Sequence, residues 1–287
     1  MATTSSDLDH LTEWIGRTQS VRQRIDAWPV RALSATLDRD DPLPQEGDAL
    51  PPGWHWMFFN PAAPAHEIGA DGHPERGGFL PPVPLPRRMW ARGRLSFARP
   101  LTIGRTVERA SRIDDVTIKH GRSGRLVFVT VRHAITDEQG PCVEEVQDIV
   151  FRDPPAPGAT AEPAAAPATG PWRRAITPDP VLLFRYSALT FNGHRIHYDL
   201  PYVTGVEGYP GLIVHGPLIA TLLLDLARRN APTRTLARFG FRAVSPLFDT
   251  APFTVNGTPE GEGAKLWAAN PTGGLAMEGT VAFAAPR

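Results

Sequence analysis

The rhythm of apolar and polar positions changes along this chain, and each change marks an element. Leu11, Ile15, Val21 and Ile25 recur at roughly helical spacing with charges between them, which predicts helix within residues 8–37. The stretch PPGWHWMFF at 51–59 is apolar and aromatic, and Pro51 and Pro52 suit the opening of a short buried helix. Residues 60–90 show little periodicity and are rich in proline and glycine, so a long loop is expected there. From Gly93 onward the pattern turns strand-like. RLSFARPLTIG, VERASRIDDVTIKHG, RLVFVTVRHAITDEQG and CVEEVQDIVFRD follow one another, parted by glycine or proline turns. The β-branched run LVFVTVRHAI predicts a strand in the middle of a sheet.

A stretch dominated by proline and alanine, PPAPGATAEPAAAPATGP at 154–171, breaks this pattern. It has no face to bury and lacks a backbone donor at each proline, so it reads as a linker between residues 1–153 and 172–287. The second part repeats the order of the first. A lead-in, PVLLFRYSALTFNG, and a loop precede the helical stretch GPLIATLLLDLARRN. The strand-like LARFGFRAVSPLF, APFTVNGTPEG, AKLWAAN and GLAMEGTVAFA follow. The helix is apolar on nearly every side through Leu226, and a helix without a polar face is surrounded by protein. An antiparallel sheet wrapped around one buried helix accounts for both patterns. Two such units, head to tail, would cover each other's open sheet edges. The expected fold is α+β, a double hotdog in which two antiparallel sheets each wrap a central helix.

Composition narrows the function. Hydrophobic residues make up 41% and charged residues 21%, which is the balance of a folded chain. Thirty basic and thirty acidic residues cancel, so nucleic acid is not the expected partner, because phosphate binding needs a basic field. The single cysteine, Cys142, can build neither a disulfide framework nor a thiolate metal site within one chain. The opening MATTSSDLDHLTEW lacks the basic and apolar regions of a secretory signal, and no window approaches about 18 consecutive apolar residues. A cytoplasmic protein that does not enter a membrane is the expectation.

The chemistry gathers in FNGHRIHYDLPYVTGVEGYPGLIVHG, residues 191–216. Three of the nine histidines, His194, His197 and His215, lie here beside Asn192 and Asp199. A helix begins directly afterwards. Pro217 suits its first turn, and the N–H groups at and after Gly216 have no intrahelical acceptor. They lie at the positive end of the helix dipole, and Gly216 carries no side chain to block approach. Such a place suits an oxyanion, and it equally suits a plain tight turn into the helix. His194 and His197 are three apart, whereas the zinc-protease pattern needs four with a Glu between, so no metal and no cofactor are expected. A single loop histidine often only hydrogen-bonds carbonyls. Several beside an Asn, an Asp and a helix start point to chemistry.

Asn192, His197 and Asp199, followed by GYPGLIVHG, resemble the active-site segment of the MaoC-like hydratase and dehydratase family. That pattern is Asp-x-Asn-x-x-His-x-Asp, then Gly-x-x-x-His-Gly at the start of the hotdog helix. On this resemblance His197 is the catalytic histidine and Asp199 the acidic residue after it. Gly211 and His215–Gly216 are the helix opening, whose glycine N–H is the oxyanion donor. The chain departs from the pattern in carrying Asn192 at the catalytic Asp position and His194 at the Asn position. SALTFNGHRIHYD resembles a branch with Asn there, which contains hydroxyacyl-thioester dehydratases and mesaconyl-C4-CoA and itaconyl-CoA hydratases. The segment GHPERGGFLPPVPLPRRMWARGRLSF at 72–97 resembles the FAS1-like dehydratase domain.

The resemblance implies a lyase that adds water reversibly to an enoyl-CoA thioester, with a short branched dicarboxylic acyl group. Asn192 cannot accept a proton, so it would hold the water through its amide while His197 takes the proton. His194, Asp199, Gly211 and His215 would line the site or support it. The first part lacks this motif, so one active site per chain is expected, with residues 1–153 walling the acyl pocket. Arg76, Arg87 and Arg88 are candidates for a free substrate carboxylate, with ordinary surface charge as the competing reading. Arg242 is a candidate for CoA phosphates. A hydroxyacyl-thioester dehydratase of fatty-acid synthesis and a non-catalytic acyl-CoA-binding hotdog are the alternatives. A thioesterase lacks its carboxylate near the helix start, and an α/β-hydrolase lacks its Gly-x-Ser-x-Gly elbow. Pairing into a homodimer or larger homo-oligomer is expected from the fold.

Overall fold

A computed structural model describes residues 8–121, 124–153 and 163–285. Its strands are β1 (Thr18–Arg24), β2 (Arg87–Phe97), β3 (Thr106–Gly121), β4 (Gly124–Asp137), β5 (Gly140–Arg152), β6 (Trp172–Ile176), β7 (Leu236–Ala243), β8 (Phe253–Glu260), β9 (Gly263–Ala269) and β10 (Leu275–Phe283). They form one antiparallel sheet in the order β1-β3-β4-β5-β2-β7-β10-β9-β8-β6. The β-branched run predicted to be central is β4, which lies between β3 and β5. The expected mutual covering of sheet edges takes a definite form: β2 of the first half pairs with β7 of the second. At this seam Gly93 lies opposite Phe241, and a Cβ on Gly93 would come within 2.3 Å of the Phe241 ring. Trp56 and Trp90 pack edge-on against that same ring.

The helices are α1 (Ala27–Thr36), α2 (Pro180–Leu189), α3 (Leu200–Gly205) and α4 (Gly216–Asn230). The stretch GPLIATLLLDLARRN folds over its whole predicted length as α4. Every residue from Leu218 to Ala227 is buried, and each buried leucine contributes roughly 1.5–3 kcal/mol. The main core joins α4 to both halves of the sheet, through Leu95 and Ile135 on one side and Phe239 and Val255 on the other. A second apolar cluster, with Leu8, Leu11, Val83, Leu85, Val129 and Phe151, lies between the first half's strands and the loop before β2.

Several elements differ from the sequence expectation. The helix expected within 8–37 is a 3-10 turn at Asp9–Trp14, then β1, then α1. Val21 and Ile25 are four apart, which fits one helix face but equally fits one face of a strand, where side chains repeat every two residues. Pairing with β3, from Thr18↔Arg112 to Arg24↔Thr106, decides for the strand. PPGWHWMFF yields only a 3-10 turn, Trp54–Met57, and a Cβ on Gly53 would meet Leu224 of α4 at 2.5 Å. The first half therefore meets the central helix with a turn, and α1 packs against α2. Strand β2 begins at Arg87, inside the expected loop, and β6 arises from WRRAI, which lacked a strand-like signal. The lead-in PVLLFRYSALTFNG contains α2, capped by Asp179, whose side chain accepts from Leu182 N at 2.8 Å. Residues 154–162 of the expected linker and residues 1–7 lie outside the described residues. At 163–171 the chain lies beside the second half, where Leu275 N donates to Ala164 O. Among the described residues no helix is long and apolar enough to cross a membrane.

Candidate active site

The loop after α2 is shaped by local hydrogen bonds. Phe191 takes a left-handed backbone (φ 48°), and Asn192 N donates to Ser187 O at 2.8 Å. The side-chain oxygen of Asn192 accepts from His194 N at 3.0 Å, which turns the chain toward the 3-10 turn Arg195–His197. This leaves the Asn192 amide N–H2 as the free part of the side chain. Asp199 caps α3 by accepting from Tyr202 N and pairs with Arg195, whose guanidinium also stacks on the Tyr202 ring. Asp199 therefore holds the loop and helix α3.

His197 is positioned from the other side. Residues 212–214 form a short extended stretch bridging 247–249, with Ile213 opposite Phe248. A Cβ on Gly211 would meet Asp249 Oδ1 at 2.5 Å, so glycine allows that approach. The Ile213 carbonyl lies 2.7 Å from His197 Nδ1. A carbonyl only accepts, so Nδ1 carries the hydrogen and Nε2 of the neutral ring is a free base. The His197 ring stacks on His215, with centroids 3.6 Å apart, and His215 Nε2 lies 2.8 Å from Ser187 Oγ. His215 immediately precedes α4, so the stack fixes His197 against the helix N-terminus. A Cβ on Gly216 would meet nothing within 4 Å outside its own chain neighbours and helix backbone, so the space on that side of its Cα is open.

The first half supplies residues that sequence reasoning missed. The segment 69–74 docks on the His194 loop: Arg195 N donates to Asp71 O, and Arg195 Nη1 to Ala70 O. The contact is close enough that a Cβ on Gly72 would lie 1.9 Å from Gly193 O. This brings in Asp71 and His73. Asp71 accepts from His73 N at 3.0 Å, and its other oxygen lies 3.2 Å from His73 Nδ1. The His73 ring lies 4.1 Å from that of His194, and the His194 ring 5.4 Å from that of His197. Four imidazoles thus form one cluster across the two halves. Nothing in GADGHPERG marks its Asp or His as part of a site 120 residues further on; only the docking does.

Burial sets the charge state of this cluster. It pushes His197 down to about 4, with the Ile213 carbonyl opposing. Burial and the neighbouring His73 and His197 push His194 down to about 2, and burial takes His215 well below its ordinary value. His73 is also lowered by burial, against the pull of Asp71. Burial opposes ionisation of Asp71, but hydrogen bonds from the His73 ring and backbone outweigh it and hold the carboxyl below its ordinary value. At neutral pH the site holds neutral imidazoles and one carboxylate. Asp71, His73 and His194 offer ligand atoms within 4.8 Å of one another, a donor set that a divalent cation can take. Both oxygens of Asp71 are, however, already engaged by His73.

The candidate arginines separate clearly. Arg76 donates to the carbonyls of Val83, Leu85 and Pro86 and rests on the Phe151 ring, so it braces the loop before β2 and does not face a ligand. Arg87 donates to Glu207 O at 2.7 Å and lies over the Tyr209 ring. Arg242 is exposed on β7 next to the buried Phe241 and pairs with Glu278. Arg88 is half-buried near Asp71, His73 and His194.

A profile of the hydroxyacyl-thioester dehydratase type 2 family matches residues 53–249, more than half of the chain and the whole of this site. The chain belongs to that family. It is 48% identical over 269 residues to a mesaconyl-C(4)-CoA hydratase of Chloroflexus aurantiacus, covering 93% of this chain and 96% of the relative. It is 31% identical to the mitochondrial hydroxyacyl-thioester dehydratase type 2 of Schizosaccharomyces pombe, covering 79% of this chain and 85% of the relative. A conserved hypothetical protein of Mycobacterium tuberculosis, described as a double hotdog, superimposes with a TM-score of 0.59 at 13% identity, covering 94% of this chain and 96% of that one. The fold is the double hotdog. As a member of the hydroxyacyl-thioester dehydratase type 2 family, the protein is an enzyme of the hydro-lyase class.

Proposed function

We propose that the protein adds water reversibly to the double bond of an enoyl-CoA thioester carrying a short, branched dicarboxylic acyl group, such as mesaconyl-C4-CoA or itaconyl-CoA, across Cα=Cβ in the mesaconyl case. The observation that carries the hydration chemistry is the locked imidazole of His197, whose free Nε2 sits beside the N-terminus of α4. The relative's name, mesaconyl-C(4)-CoA hydratase, supports the acyl group.

Water is held by the Asn192 amide, and His197 Nε2 takes a proton from it as its oxygen bonds to Cβ. The π electrons of Cα=Cβ move toward the thioester, whose oxygen gains negative charge. The Gly216 N–H and the dipole of α4 receive that charge, a donor worth about 2.7–4 kcal/mol. The imidazolium of His197 then returns its proton to Cα, so the net change is addition of one water. Dehydration is the same path in reverse. His215 and Ser187 keep the His197 ring in place.

The test is loss of enoyl absorbance with mesaconyl-C4-CoA, itaconyl-CoA and crotonyl-CoA, for the wild type and His197→Ala. A loss of about 10²–10⁴-fold in kcat with an unchanged melting profile is expected. Full turnover by the variant would sink the mechanism. Preference for long-chain 3-hydroxyacyl thioesters would instead favour the fatty-acid-synthesis dehydratase named in the yeast relative.

A further inference from the structure

Arg88 stands out from the other arginines around the site. It lies on β2 directly opposite Phe151 of β5, and directly opposed residues share a face, so it points to the same side as that buried ring. Its guanidinium has five donors, and among the described residues it makes no hydrogen bond and no ion pair, while none of its nitrogens is sealed from solvent. The carboxylate whose charge acts on it, Asp71, is engaged on both oxygens by His73. Burial weakens the hold of Arg88 on its charge, and Arg76 adds like-charge repulsion. A half-buried cation without an acceptor is costly, and the cost is relieved by an anion that brings two parallel oxygens. The same positive charge disfavours a metal ion on Asp71, His73 and His194.

The position also limits the ligand. Arg88 acts on His73 and His194, and the His194 ring touches that of His197. In the proposed reaction an anion held there would lie on the acyl side of His197. CoA phosphates lie at the other end of such a molecule.

We propose that Arg88 is the receptor for the second, free carboxylate of the acyl group, and is therefore the residue that selects a short dicarboxylic thioester. This rests on the hydratase reading for its biological sense, but it is tested by binding alone. Succinyl-CoA and butyryl-CoA have saturated acyl chains of equal length, cannot be hydrated, and differ at the terminal carboxylate. Calorimetric dissociation constants of both are measured for the wild type, Arg88→Met and Arg88→Lys, each checked by thermal melting. The wild type is expected to prefer succinyl-CoA by at least about tenfold. The preference should vanish in Arg88→Met and be partly restored in Arg88→Lys, which keeps the charge but loses the planar fork. No preference in the wild type, or a preference that survives in Arg88→Met, overturns the proposal. A wild type that prefers succinyl-CoA but hydrates none of the enoyl thioesters leaves the receptor standing and removes the hydratase reading. Hydration of mesaconyl-C4-CoA that Arg88→Met leaves undiminished does the reverse.

Discussion

His197 donates Nδ1–H to the Ile213 carbonyl, and that one bond decides which nitrogen is free for chemistry. Burial sets the pH at which it works. Its folded value, about 4, lies below the ordinary 6.5, so the ring stays neutral and basic until the pH falls near 4. The acid limb of kcat/KM should therefore lie near pH 4, with no fall through pH 6.5, in a pH–rate profile on a substrate whose own groups do not titrate there. A limb near 6.5 would mean that water reaches the ring. Among the described residues the titratable groups acting on it are His215, His194 and His73, the last paired with Asp71. The same depressed values carry a stability cost. Below about pH 6.5 the unfolded chain takes up protons that the folded cluster refuses, so stability falls as the pH drops from there. At this scale the sequence was informative. Asn192, His197 and Gly216 were singled out through the motif that carries the family resemblance, and the structure stacks His197 on His215 at the start of α4. Asp71 and His73 were not, because their meaning depends on a loop from the other half.

The 3-10 turn Trp54–Met57 shows what sets an element when its own residues do not. Its aromatic run suggested a helix, yet a single turn forms, tied to β5 by Glu145. That carboxylate is buried beside His55 Nε2 (2.8 Å), Trp56 Nε1 (3.0 Å) and Gln147 Nε2 (2.8 Å). Burial raises the cost of its charge, but the hydrogen bond and charge of His55 outweigh it and take the group down to about 2. Turning one of its oxygens into an amide N–H2 sets a donor against the donors there. Glu145→Gln should lower stability by about 3 kcal/mol in urea denaturation at pH 7. The sign with pH is fixed: the depressed value gives stability that is complete above about pH 4.5 and lost as the pH falls toward 2. The gap between variant and wild type should close over that window, and a gap independent of pH would contradict the account. Strands β3 to β5 and β7 to β10 were readable because their alternation is long. β1 and β6 were not, since a short edge strand is decided by its neighbour.

Across the whole molecule the halves are joined by the β2–β7 seam and by a buried ion cluster on α4. Asp225, fully buried, pairs with Arg39 of the first half and with Arg174 and Arg229 of the second. Arg174 and Arg229 also donate to Leu37 O, just beyond α1. Asp225→Ala takes the shared carboxylate from Arg174 and Arg229, leaves Arg39 with Asp41 alone, and should cost about 3–5 kcal/mol. Because one core runs through both halves, scanning calorimetry should show a single transition that moves down as a unit. Two separate transitions would show that the halves unfold independently. The sequence by itself determined the fold class, the buried helix, most strands and the His197–Gly216 motif. Each of these rests on periodicity or on contacts between near neighbours in the chain. Only the tertiary structure decided that the two sheets are one, that the 69–74 loop brings Asp71 and His73 to the imidazoles, and that of Arg76, Arg87 and Arg88 the last has no hydrogen-bond or ion-pair partner among the described residues. Those facts depend on which distant segments meet. A side chain's charge state and freedom follow from what surrounds it, and its place in the sequence does not record that.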